Sequence, residues 1–209
     1  MKLLAFLWVL GSLTTLRALA EFTAPFPLSK QILRGDEVAF VPHTDTTPFG
    51  SYLIMNLPVA PSKEFFDIIV SRLSVKLINR GEAHITVITP PEYDGVLRNF
   101  ITMDEINQIA TRENIQKTEV EAICLGRARA VINERKLDAY FVVVKAPGLI
   151  LVRDKIYKRY VEKGGEPSRF DPRHFYSHIT IGFTERDLQE SDGIFKGTNA
   201  CIGSLSLHD

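Results

Sequence analysis

The chain has 209 residues, 45% of them hydrophobic, and its 25 Lys and Arg balance 25 Asp and Glu for a formal net charge of zero. That length and composition support a folded domain with a sizeable core. The even charge excludes a protein that grips long nucleic acid by neutralising many phosphates, leaving room only for a small or locally held phosphate ligand.

Residues 1–20, MKLLAFLWVLGSLTTLRALA, carry Lys2 ahead of an apolar run from Leu3 to Leu10 and end on Ala18-Leu19-Ala20 before Glu21. This is the pattern of a secretory signal peptide. The apolar run is far shorter than the roughly 20 residues of a membrane-spanning helix. The expectation is cleavage after Ala20, a secreted product with no membrane span, and a charge of about −2 once Lys2 and Arg17 are removed.

Residues 21–50, rich in proline and threonine and including PHTDTTPFG, read as an extended lead-in. Residues 51–209 read as one two-lobed domain. SYLIMNLP, from Ser51, is an apolar run closed by proline, which suits a buried strand. Ser62 can cap a helix in which Phe65, Ile69, Leu73 and Leu77 share a face, ending near Asn79-Arg80-Gly81. AHITVI follows at 83–88. Thr102 and Glu105 form a capping box that opens a further helix. VEAICLGRARAVIN and RKLDAYFVVV are strand-like runs around Asn133-Glu134 and predict a hairpin. Pro147 closes the second run. A helix with Leu149, Val152, Ile156 and Tyr160 on one face then runs to Gly164-Gly165. A polar loop leads to SHITIGF, and NACIGSLSLHD is a last strand. The order strand, proline, helix, loop, His-x-Thr strand therefore occurs twice.

Cys124 and Cys201 are the only cysteines. In an oxidising compartment they can form one disulfide, and two buried free thiols are the equal alternative. Without a Cys-x-x-Cys pair they do not suggest a metal site.

Alternation along a strand puts His84 and Thr86 on one face and Ile85 and Val87 on the other; His178 and Thr180 stand in the same relation to Ile179 and Ile181. Two such pairs facing one cleft suit reaction at a phosphodiester. One imidazole removes a proton from the attacking oxygen and the other protonates the leaving oxygen, each transfer being worth about 10²–10⁴ in rate. The threonine hydroxyls can donate to non-bridging phosphate oxygens, where charge accumulates in the transition state. No metal or other cofactor is needed by this arrangement, and which histidine serves as base is open.

HITV at 84–87 and HITI at 178–181, in duplicated strand-helix-strand halves, resemble the 2H phosphoesterase superfamily. The position of TPPEYDG after the first motif resembles its Swiss-Army-Knife, RNA-repair-like branch. The resemblance spans roughly Ser51 to Leu207. It implies an α+β bilobal fold, with two antiparallel-rich sheets related by a pseudo-two-fold axis, lining a central cleft with helices outside. It also implies metal-independent hydrolysis of a 2′,3′-cyclic phosphate, an RNA end or another short phosphodiester. By the same resemblance His84 and His178 are catalytic, Thr86 and Thr180 bind phosphate, and the partner is a small nucleotide or RNA 3′ end met by a monomer. Many relatives have proline directly before the second histidine, where this chain has Ser177. The rival of another class is a secreted nucleotide-binding or effector protein without turnover.

Tyr176 lies on the His178 face if the strand reaches that far, and is a candidate for stacking on a base or sugar. His174, four residues before His178, would form a zinc pair only on a helix, and FYSHITIGF reads as strand. Arg127 and Arg129 alternate along GRARA and read as solvated strand residues, as KIYKRY reads as the wet side of a helix. His43 and His208 receive no role.

Overall fold

The computed structural model describes residues 24–209; the expected signal peptide at 1–20 lies outside them. In chain order the strands are β1 (Phe26–Ser29), β2 (His43–Thr44), β3 (Ser51–Asn56), β4 (His84–Ile88), β5 (Glu121–Ile132), β6 (Arg135–Lys145), β7 (His178–Phe183), β8 (Cys201–Gly203) and β9 (Leu205–His208). The α-helices are α1 (Val59–Leu73), α2 (Pro90–Gly95), α3 (Met103–Arg112) and α4 (Pro147–Glu162). This is a mixed α and β fold with antiparallel sheets. One sheet has the order β2-β3-β4, a second the order β7-β6-β5-β8, and β1 pairs with β9 in a parallel ribbon. Among the described residues no helix is long and apolar enough to cross a membrane.

Both motif strands are edge strands. β4 pairs antiparallel with β3, with Asn56 opposite His84 and Ile54 opposite Thr86. β7 pairs antiparallel with β6, with Val143 opposite His178 and Phe141 opposite Thr180. β4 and β7 belong to different sheets, yet they pack against each other. Backbone bonds between Ile78 and Phe183 bridge the segment after α1 to the far end of β7. The alternation expected of the motifs is present: Ile85, Val87, Ile179 and Ile181 are buried in the main core, while His84, Thr86, His178 and Thr180 are half-buried on the opposite faces.

Several elements follow the local chemistry. Thr102 and Glu105 close their capping box at the start of α3. Asn133 and Glu134 both adopt positive φ (49° and 65°), as a two-residue hairpin between β5 and β6 requires. The second helix of the duplicated order begins at Pro147, whose missing N–H costs nothing in a first turn.

Other expectations need correction. The lead-in is not a free extended segment: Phe26, Leu28 and Ile32 are fully buried, and β1 pairs along its length with β9. Its proline-rich composition hid a Phe-Pro-Leu alternation whose partner lies at the other end of the chain. Helix α1 starts at Val59, before Ser62, because Pro61 is tolerated where N–H groups have no helical acceptor. It stops at Leu73, where Ser74 turns left-handed (φ 52°), so Leu77 continues the four-residue spacing outside the helix. TPPEYDG, read in the sequence only as a family resemblance, forms α2, opened by a Thr89–Glu92 capping box and Pro90 in its first turn. The single last strand is divided into β8, paired with β5, and β9, paired with β1.

Cys124 and Cys201 form a disulfide between neighbouring strands, with Cα atoms 5.7 Å apart. Of the two alternatives open in the sequence, the structure has the bridged one.

Candidate active site

The second motif is the more enclosed. The His178 Nδ1 lies 2.6 Å from the Tyr176 carbonyl oxygen. A carbonyl can only accept, so Nδ1 carries the hydrogen and the neutral ring keeps its lone pair on Nε2. Phe141 meets the imidazole edge-on, with ring centres 5.6 Å apart. Gly126 makes room for that phenyl ring, since a Cβ at this position would fall 2.4 Å from it. Burial, then the nearby Lys196 ammonium, push the His178 imidazole down to about 3, against the opposing effects of the Tyr176 carbonyl and Asp187. His178 is therefore neutral at physiological pH, with the Nε2 lone pair unprotonated.

The first motif is held differently. The His84 Nδ1 is buried and has no hydrogen-bond partner among the described residues. Burial lowers the proton affinity of this imidazole too. Glu82 opposes that shift, and Arg80 and His43 add to it. Each imidazole also feels the charge of the opposite motif: His84 contributes at His178, and Asp187 contributes at His84. The two His-x-Thr pairs therefore share one electrostatic environment.

Thr180 is tethered, whereas the Thr86 hydroxyl has no side-chain partner among the described residues. The Thr180 Oγ1 lies 3.4 Å from Asp187 Oδ2 and 3.4 Å from Lys196 Nζ. Lys196 is only 6% exposed and sits 2.7 and 2.8 Å from the two Asp187 oxygens. Neither Lys196 nor Asp187 was singled out from sequence. No local sequence signal marks either residue; Lys196 is buried although the neighbouring Phe195 is half exposed.

Tyr176 lies two residues before His178, just ahead of β7. Its carbonyl serves His178, while its ring packs beside Phe195 (5.3 Å) and His174 (5.3 Å). His174 lies in a loop, with Nε2 2.8 Å from Glu190. Among the described residues no group of three or more His, Cys, Asp or Glu could hold a metal ion. Arg129 is paired to Asp138 at 2.7 Å. His43 does have surroundings: it stacks on Tyr52 at 4.3 Å and its charge is felt at His84.

Arg153 of α4 joins the two motif regions. Although 1% exposed, it donates to Val87 O at 2.6 Å, three residues after His84. It also donates to the carbonyls of Asp171, Pro172 and His174, which lead into β7, and pairs with Glu92 at 2.8 Å. Its guanidinium lies near the rings of Phe170 and Phe175. Four residues after Leu149 and three before Ile156, it falls on the apolar face of its helix, which is the sequence signal for its inward position.

The family model of the Swiss Army Knife 2H phosphoesterase domain matches residues 51–189, a span that contains both motifs, α1, α4 and Arg153. The chain belongs to that family. No curated protein and no solved structure matches it. Membership makes this domain a phosphoesterase of the 2H type, and the match ends before Lys196.

Proposed function

We propose that the chain is a metal-independent phosphodiesterase that hydrolyses a 2′,3′-cyclic phosphate, on a nucleotide or an RNA end, or a comparably short phosphodiester. The observation that carries this reading is the packing of β4 against β7, the edge strands of two sheets, each bearing a histidine and a threonine on its half-buried face. The matched sequences β3-α1-β4 and β6-α4-β7 support a bilobal, pseudo-two-fold arrangement with the substrate cleft between the motifs.

In this reading His178 is the general base, because its Nδ1–H is committed to the Tyr176 carbonyl and its Nε2 keeps a lone pair. A water gives its proton to His178 as its oxygen bonds to phosphorus. The bond from phosphorus to the 2′ or 3′ oxygen breaks, and protonated His84 gives that oxygen its proton, leaving a phosphomonoester and a hydroxyl. The bound phosphate's own negative charge raises the proton affinity of His84 and so favours the acid form. Thr86 and Thr180 donate to the non-bridging oxygens, and the Tyr176 ring borders the base or sugar.

The disulfide and the N-terminal pattern support secretion, and the balanced charge supports a small substrate. Incubation of the purified chain with 2′,3′-cyclic nucleotides, a 2′-5′ dinucleotide and short RNAs, beside the His84→Ala and His178→Ala variants, tests the proposal. Turnover by the wild type alone is expected. Nucleotide binding without turnover on every substrate would favour the non-catalytic binding protein instead.

A further inference from the structure

Lys196 reaches the second motif from a segment beyond the matched residues 51–189. Burying an ammonium is costly unless it is paired, and a buried charge pair kept for stability alone gains little over apolar side chains of the same size. The place of this pair, against the hydroxyl and imidazole of one motif, gives it a different use.

We propose that Lys196, clamped by Asp187, is the positioning residue of the second motif: it aims the Thr180 hydroxyl at the phosphoryl group and supplies the fixed positive charge beside His178. This rests on the hydrolytic reading of His178 and Thr180 given above.

The geometry supports it bond by bond. An ammonium has three hydrogens and no lone pair. The two Asp187 oxygens, at 2.7 and 2.8 Å, take two of them, and the third points to Thr180 Oγ1 at 3.4 Å. With its oxygen receiving from Lys196, Thr180 has its own hydrogen to give. Its bond to Asp187 Oδ2 is long, at 3.4 Å, and Asp187 already accepts from Leu188 N as well. A phosphate oxygen can therefore take that hydrogen at small cost. The Lys196 charge also lies 5.7 Å from the Phe141 ring that backs His178.

The groups that set the charge at His178 are Lys196 and Asp187 from the segment after β7, His84 from β4, and the Tyr176 carbonyl. Arg80 and Asp192 act in turn on Lys196. Among these, Lys196 and His84 disfavour a proton on His178 and Asp187 favours one. The Cys124–Cys201 bridge anchors to β5 the strand that directly follows this segment.

The test compares wild type, Lys196→Met and the double variant Lys196→Met with Asp187→Asn, in which no buried carboxylate is stranded. Two readouts are taken on the full chain: steady-state turnover of a 2′,3′-cyclic nucleotide, and the NMR titration of the His178 ring without substrate. The expected result is a loss of about 10²-fold in kcat with KM little changed. In Lys196→Met the His178 titration should move up, while in the double variant, which also removes the opposing Asp187 charge, it should move less. If the double variant keeps wild-type kcat, or the His178 titration of Lys196→Met stays where it is, the proposal is overturned. Should the wild type turn over no substrate at all, the hydrolytic reading falls first, and a displaced His178 titration would still show Lys196 governing that histidine while an unmoved one would remove the proposal too.

Discussion

The two His-x-Thr motifs are nearly the same in sequence and unlike in their surroundings. His178 has its Nδ1 bound to a backbone carbonyl, a phenyl ring at its edge, and a buried Lys196–Asp187 pair holding its threonine. His84 has a buried Nδ1 with no partner among the described residues, and charged neighbours that oppose one another. Duplication of a strand pattern supplies two imidazoles, and the loops that close over each strand decide what each can do. A ring with a fixed tautomer suits the base, and one without suits the acid that must carry an extra proton.

The largest effects should come from the histidines themselves. His178→Ala and His84→Ala are each expected to lower kcat by about 10²–10⁴, and the double variant by little more than the worse single one, because the two act in one step. Retained activity in either single variant, measured by initial rates, would break the pairing of the halves. Arg153 tests the link between them. Arg153→Met leaves Glu92 without its ion-pair partner and several carbonyls without their donor, and should cost about 3–5 kcal/mol, read from the urea midpoint. Loss of the bridge, in Cys124→Ala with Cys201→Ala, should cost about 4 kcal/mol for a sequence separation of 77, seen as a lower thermal midpoint.

The threonines sharpen the contrast at a smaller scale. Thr180→Val and Thr86→Val should each lower kcat/KM by about 10²-fold. The effect at Thr180 should fall away when Lys196 has already been replaced, whereas that at Thr86 should not.

Stability should follow pH in a way the same contrast foretells. His178 holds a proton less readily in the folded chain, at about 3, than in the unfolded chain, near 6.5. Between those values the unfolded state binds more protons. The stabilisation is therefore complete above pH 6.5 and is lost as pH falls towards 3, by up to about 1.4 kcal/mol per pH unit from this group. His178→Gln should flatten that slope in urea titrations. Glu105 and Asp192, each lowered to about 2 by their ion pairs and hydrogen bonds, act in a separate window, losing their contribution only as pH falls through the carboxylate range.

Much of this could be read along the chain, where the cause is local. The alternation of His84-Ile85-Thr86-Val87 and His178-Ile179-Thr180-Ile181, the Thr102 capping box and the Asn133-Glu134 turn depend on neighbours a few residues away, and the fold retains them. What escaped depends on partners distant in sequence. β1 is a strand because β9 lies beside it, and Arg153 is buried because carbonyls from β4 and from the loop before β7 converge on it. Lys196 joins the second motif because the segment after β7 returns over its polar face. Leu77 shows the opposite error: a four-residue spacing carried past the left-handed turn at Ser74 that ends the helix.

The central claim is that one phosphoryl group engages both imidazoles, one from each sheet. It is tested most directly by following the two ring signals in NMR while a slowly hydrolysed 2′,3′-cyclic phosphorothioate nucleotide is added. His84 and His178 should shift together along a single saturating curve. A response from one ring alone, or from neither at saturation, would contradict the account.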